Sequence, residues 1–241
     1  MSLTLTSRFC GNVYIIQCVG RITAGQEALT LETALDEGER EFARVVLNLA
    51  EVTRMDSMGL GLLVRHAYRL NKRGGTIRLA APQPFVAHLL NITKLSGFLQ
   101  SYPTEEDAIQ SFLKQHPPHT ADEKRGLRIL VFDQSADLCM FVRTVLAQHG
   151  FEVRTSCTFR DAKLLLRVDE VDYILVGPGT PQLTSEAVAK ELGALAPKAS
   201  AVQLSADFKS HDAVEATEAL LHMFGVSGTS QIQSHIKEPC P

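Results

Sequence analysis

The sequence lacks most of what would commit it to nucleic acid, membrane, metal or secretion. Its formal net charge is only −3 over 241 residues. That is too weak a field to gather phosphate backbones, so no direct nucleic-acid contact is expected. No apolar run approaches the roughly 20 residues that a bilayer helix needs. The chain also does not open with a basic stretch followed by an apolar core. A cytoplasmic protein without membrane contact is therefore expected. The five cysteines, Cys10, Cys18, Cys139, Cys157 and Cys240, form no C-x-x-C pair and stand beside no histidine array. This argues against a zinc site or a disulfide framework and for reduced, mostly buried thiols. Eight histidines are present, but none accompanies a Ser or Cys elbow. His66, His88, His149 and His211 fall in or beside helical patterns without metal-ligand spacing. Gly177-Pro178-Gly179-Thr180-Pro181 has no Lys-Ser/Thr to complete a phosphate cradle and reads as a turn. No enzyme activity, cofactor or metal is expected.

What is present is an ordinary globular composition, 45% hydrophobic and 21% charged, on a chain long enough for two domains of roughly 100 to 150 residues. Leu3 to Phe9 alternates apolar with polar residues and Val13 to Val19 is dense in β-formers, with Gly11-Asn12 between them, so the chain opens on a hairpin. Glu27 to Phe42 has helical spacing, Arg44 to Leu49 reads as a buried strand, and Ser57 to Leu70 repeats apolar residues at helical spacing. Gly74-Gly75 stops that helix before a strand at Thr76 to Ala80. Helices at Phe85 to Leu90 and Glu105 to Leu113 close the first half. Residues 115–126, with Pro117-Pro118 and a charged run, carry no apolar periodicity and mark a linker. The second half alternates strands (127–132, 152–156, 173–176, 200–204) with helices (138–148, 160–166, 185–195, 213–224). Such alternation implies a parallel sheet covered on both faces. The predicted organisation is an α/β chain with domains at 1–114 and 127–225 and a flexible tail at 226–241.

Ser57 stands at a helix entrance in Met55-Asp56-Ser57-Met58-Gly59-Leu60-Gly61. Its hydroxyl could cap the helix, with Asp56 complementing the positive helix end. It could equally accept a phosphate, whose charge the exposed N–H groups of a helix start can bind. Gly59 and Gly61 permit close approach of a partner. Met58 fits either an apolar partner contact or the domain core. Arg65, Arg69, Lys72 and Arg73 form a basic stripe on the same helix, either solvated or facing an acidic partner.

The element order, with Val45-Val46-Leu47-Asn48-Leu49, the Asp56-Ser57-Met58-Gly59-Leu60 motif, Gly74-Gly75 and Leu95-Ser96-Gly97, resembles the STAS family of anti-sigma factor antagonists over residues 3 to 114. The resemblance implies a STAS-like mixed sheet with helices. It also implies phosphorylation of Ser57 by an ATP-dependent serine kinase that doubles as anti-sigma factor, with reversal by a PP2C-type phosphatase. Asp56, Ser57, Met58, Gly59 and Leu60 would form the docking surface. The family often carries Gly-Glu-Leu/Ile-Asp after its early strand; here Gly20-Arg21-Ile22-Thr23 stands instead, which leaves the partner's identity open.

The second half resembles the response-regulator receiver family from Leu127 to about Phe224, through Ile129-Leu130-Val131-Phe132-Asp133, Gly150-Phe151, Asp172-Tyr173-Ile174-Leu175-Val176 and Leu204-Ser205-Ala206. A flavodoxin-like doubly wound parallel sheet is implied. By position Asp133 matches the first receiver acid, Gln134 replaces the second, Gly177 occupies the phosphoacceptor position and Ser205 matches the switch hydroxyl. With no side chain at 177, this half reads as a pseudo-receiver that adds docking or homodimerisation. Asp133 itself reads as a residual metal ligand or, more simply, a polar strand-end residue. The chain as a whole is expected to be a phosphorylation-controlled partner switch; the alternative is a non-phosphorylated scaffold subunit of a signalling assembly.

Overall fold

The computed structural model describes residues 2–113, 126–178, 185–204, 208 and 213–224. Ser205, the tail, residues 115–125 of the expected linker and the Gly179 to Pro181 part of the expected turn lie outside them. The opening hairpin forms as β1 (Thr4–Cys10) and β2 (Val13–Ile22). It turns at Gly11, whose φ of 61° suits a residue without a Cβ. Then follow α1 (Gln26–Glu41), β3 (Arg44–Met55), α2 (Ser57–Asn71), β4 (Thr76–Ala80), α3 (Pro84–Ile92), β5 (Ser101–Tyr102) and α4 (Glu105–Leu113). The second half contributes β6 (Arg128–Phe132), α5 (Ala136–Gln148), β7 (Glu152–Ser156), α6 (Phe159–Val168), β8 (Tyr173–Val176), α7 (Ser185–Leu195), β9 (Ser200–Gln203) and α8 (Ala213–Met223). No helix of the described residues is long and apolar enough to cross a membrane.

Two elements depart from the sequence reading. β3 runs on from Leu49 to Met55 with Val52 and Met55 buried and Glu51, Thr53 and Arg54 exposed; a register shift against β2, from Gly20↔Val52 to Arg21↔Arg54, leaves Thr53 as an extra residue that lets both apolar side chains face the covered side. This marks a strand covered on one face rather than two. The two-residue β5 was not expected; it pairs with the end of β4 through Leu79↔Ser101 and Ala80↔Tyr102.

The two halves join in one nine-stranded sheet of order β5-β4-β3-β2-β1-β7-β6-β8-β9. β1 is antiparallel to both its neighbours, and all the other described pairings are parallel. β2 to β9 therefore all run in one direction. The join is short and staggered. Cys10, the last residue of β1, meets Ser156, the last residue of β7, and the Gly11 N–H donates to the Thr155 carbonyl at 2.8 Å. Cys10 also pairs with Val13, and Val13 with Arg44. The carboxyl ends of β6, β7 and β8 thus lie level with the amino ends of β2 and β3.

Packing crosses the join on both faces. On one face α1, α2 and α3 cover the first half through Leu31, Leu35, Leu63, Leu70 and Val86. On the other, Phe112 and Ile109 of α4 share a core with Leu164 and Leu165 of α6 and Leu192 of α7. Phe9 and Phe42 of the first half pack with Val142 and Leu146 of α5 and Leu220 of α8. Whether the halves touch was not legible in sequence; they share two cores.

A charged network reinforces the seam. Arg8 Nε donates to Asp161 Oδ2 at 2.8 Å and its Nη2 to Glu105 Oε1 at 2.5 Å. Asn48 Nδ2 donates to the other Glu105 oxygen at 2.7 Å. Burial pushes the Glu105 carboxyl up, but the bonds from Arg8 and Asn48 outweigh it and hold that carboxyl below its usual range. Asp161 is 2% exposed, and Arg8 is the cation that its buried carboxylate meets.

Candidate functional site

The Ser57 site is built at the carboxyl end of β3. Asp56 leaves the strand with extended backbone (φ −106°, ψ −178°) and its Oδ1 accepts from the Gly59 N–H at 2.9 Å, making Asp56 the N-cap of α2. Its Oδ2 accepts from the Ala24 N–H at 2.9 Å, tying the loop after β2 to the helix start. Both carboxylate oxygens are thus engaged by backbone donors. The bonds from Gly59 and Ala24 hold the Asp56 carboxyl below its ordinary range. The Asp56 N–H in turn donates to the Ile22 carbonyl at 3.2 Å. Gly20-Arg21-Ile22-Thr23 therefore borders the site directly.

With the cap supplied by Asp56, Ser57 becomes the first helical residue, and it is exposed. Met58 beside it is 61% exposed, so it faces outward and not into the core. Gly59 and Leu60 are buried. A Cβ at Gly59 would come within 2.5 Å of the Ile22 carbonyl oxygen, so the missing side chain there serves close packing of α2 on β2. At Gly61 an added Cβ would meet nothing within 4 Å. The structure thus gathers Asp56, Ser57 and Met58 at an open surface, with Gly59 and Leu60 beneath them as its support.

Three residues of the basic stripe are matched within the chain. Arg65 pairs with Glu32 at 2.5 Å, Arg69 pairs with Asp36 and Glu39, and Lys72 lies over the Tyr68 ring at 4.7 Å. His66 Nδ1 lies 2.7 Å from Glu39 Oε1, both side chains being buried. Ligand atoms of Asp36, Glu39 and His66 come within 4.8 Å of one another. The Arg69 guanidinium bonds both acids, so it already supplies the cation that such a cluster would draw.

The candidate positions of the second half lie elsewhere. Asp133 is 4% exposed and its Oδ1 accepts from the Ser135 N–H at 2.7 Å, shaping the turn into α5. Ser135 caps that helix by accepting from the Leu138 N–H at 3.2 Å. Gln134 is exposed. Gly177 is held by a bond from its N–H to the Phe132 carbonyl at 2.8 Å, and a Cβ there would overlap Asp133 Oδ2. Asp133 thus fills the space that a side chain at 177 would need. Phe132 pairs with Ser156, which is level with Arg44. At about 3.3 Å per residue, the length of β3 places Asp133 roughly 35 Å along the strand direction from Ser57.

Residues 5–108, in the N-terminal part, match the model of the STAS domain. An anti-sigma F factor antagonist of Paenibacillus polymyxa is 25% identical over 112 residues, which cover 45% of this chain and 94% of that protein. Among solved structures, an anti-sigma factor antagonist from Mycobacterium paratuberculosis is 25% identical with a TM-score of 0.42, covering 46% of this chain and 93% of its own. The Bacillus cell fate determinant SpoIIAA in its phosphorylated form is 18% identical with a TM-score of 0.39, covering 46% and 99% respectively.

Proposed function

We propose that this protein is a non-enzymatic partner switch whose state is written on Ser57. Unmodified, the surface of Asp56, Ser57 and Met58 binds an ATP-binding serine kinase that doubles as an anti-sigma factor. The kinase joins the Ser57 oxygen to the γ-phosphorus of ATP, ADP leaves, and the hydroxyl proton is released. A PP2C-type phosphatase reverses the mark by hydrolysis. The observation that carries this reading is the division of labour at the helix start. Asp56 takes over the capping, which leaves Ser57 exposed on a helix whose N-terminal field favours a phosphate. Support also comes from the STAS match over residues 5–108 and from a relative named as an anti-sigma F factor antagonist.

The switch needs only a difference in affinity. A phosphate on Ser57 adds about two negative charges next to the Asp56 carboxylate. In a close interface those charges meet repulsion and a desolvation cost that the hydroxyl does not. In the second half, the order β7-β6-β8-β9 corresponds to the first four strands of the flavodoxin-like 2-1-3-4-5 arrangement. With Asp133 filling the space at Gly177, that half serves as a receiver-like pseudo-domain without phosphotransfer and stiffens the STAS half through the shared sheet.

Incubation with the cognate kinase and ATP, followed by peptide mass spectrometry, tests the reading. A single phosphate on the Ser57 peptide is expected. A chain that binds the kinase but takes up no phosphate would instead be a scaffold subunit.

A further inference from the structure

Two thiols outside the Ser57 site have no part in the proposed switch. Cys139 is on α5 and is buried, whereas Cys157 directly follows β7 and is half-buried. Cys139 Sγ lies 3.4 Å from the Asp133 carbonyl oxygen and 3.8 Å from the Ser156 carbonyl oxygen. The Ser156 carbonyl belongs to the peptide bond that leads into Cys157, so the Cys139 sulfur packs against the Cys157 backbone. Each thiol shifts the acidity of the other there. We propose that Cys157 is a hydroperoxide-reactive thiol and that Cys139 is its resolving partner, the pair closing to a reversible disulfide.

The roles are asymmetric. The hydrogen bond from Cys139 holds the Cys157 thiol below its ordinary range, against burial and the nearby Asp133 and Asp161 carboxylates. The same contact, with burial, pushes Cys139 up. Cys157 is also the less buried residue of the pair, which opens it to an oxidant first. Cys10 and Cys18 are the contrast. Both are buried, and burial raises Cys10 well above its usual range and Cys18 to about 12.

The chemistry closes with a hydroperoxide as the oxidant. The Cys157 thiolate attacks one peroxide oxygen; an S–O bond forms, the O–O bond breaks, and the departing alkoxide or hydroxide takes a proton from water. Cys157 is now a sulfenic acid, oxidised by two electrons, and the peroxide has been reduced. The Cys139 sulfur then attacks the Cys157 sulfur. The S–S bond forms, the S–O bond breaks, and hydroxide leaves with the Cys139 proton as water. A dithiol reductant restores both thiols. The disulfide would fasten the first turns of α5 to the end of β7. Cys157 lies within the field of Arg8 and Asp161, so the modification falls beside the seam between the halves.

The test treats the full chain with hydrogen peroxide, alkylates the remaining thiols and maps the peptides by mass spectrometry. A cross-linked Cys139–Cys157 peptide is expected, and it should vanish on reduction with dithiothreitol. In Cys139→Ser, a cyclic 1,3-dione should trap Cys157 as its sulfenic acid about tenfold faster than Cys10 or Cys18 react. Recovery of Cys139 and Cys157 as separate alkylated peptides after peroxide would overturn the proposal. So would dione labelling of Cys157 no faster than of the buried cysteines, or a cross-link from Cys157 to Cys240 in place of Cys139. If Cys139→Ser does not fold, the wild-type peptide map decides alone.

Discussion

Ser57 and Gly177 both follow the carboxyl end of a parallel strand, β3 and β8, and each has an aspartate close by, yet one place is open and the other is filled. At the first, both oxygens of Asp56 accept backbone N–H bonds, from Gly59 and Ala24, and the serine beside it is left exposed. At the second, one Asp133 oxygen shapes a turn and the other occupies the space a side chain at 177 would need. The difference teaches that strand-end position alone does not leave room for an added group. The neighbouring carboxylate clears the space at one place and takes it at the other. The closed place also lies on the edge that abuts the first half, because the stagger at Cys10↔Ser156 brings the carboxyl ends of the second half against the amino ends of β2 and β3.

The largest expected effect attacks the seam that keeps the two places apart. Arg8→Met leaves Asp161 buried without its cation, which should cost about 3 kcal/mol of stability. A urea titration should show the midpoint falling in proportion. An unchanged midpoint would mean that the seam contributes little to holding the halves together.

Next comes the open place. Ser57→Asp should weaken binding of the kinase partner about thirtyfold, or about 2 kcal/mol, while Ser57→Ala should stay within about threefold. Calorimetric titration of both variants separates loss of the hydroxyl from gain of charge. At the closed place, Gly177→Asp supplies an acceptor side chain but forces it onto Asp133. It should lose about 1 to 2 kcal/mol to overpacking and gain no labile acyl phosphate from a small phosphoryl donor. Efficient labelling would show that the pocket can reopen.

The smallest effect concerns the cap. Asp56→Ala should cost about 1 kcal/mol in thermal or urea unfolding at neutral pH. The folded-state pKa of Asp56 is depressed, so its contribution is fully present above the ordinary carboxylate range and is lost as pH falls through the folded value. Wild type and Asp56→Ala should therefore converge in stability in acid. A gap that persists there would assign the effect to something other than the carboxylate.

Much of this was legible in the residues, because most elements follow local periodicity. The hairpin at Gly11-Asn12, the helix after Asp56 and the alternation in the second half all carry signals within a few positions. At Ser57 the sequence left two readings open, capping or modification, since either fits a serine at a helix start. The bonds of Asp56 to Gly59 and Ala24 show that Asp56 supplies the cap, and the proposal that Ser57 is modified builds on that. Met58 was ambiguous for the same reason, and its exposure is a matter of which way one helical turn faces.

The seam was not legible. Arg8 lies 97 residues from Glu105 and 153 from Asp161, and nothing near Arg8 in the chain announces either partner. A basic residue on an alternating strand usually reads as solvated. Likewise the α2 stripe at Arg65 and Arg69 left open whether it faces solvent or an acidic surface. The answer is the acidic residues of α1, and it depends on how two helices pack rather than on either sequence pattern.

The central claim is that the charge state of Ser57 sets affinity for the kinase partner. The direct measurement titrates one partner preparation, without ATP, against the unmodified chain and against the chain carrying a phosphate on Ser57 verified by mass spectrometry. The account predicts affinity about a hundredfold weaker for the phosphorylated chain, or about 2.7 kcal/mol. Equal affinities for the two forms would contradict it.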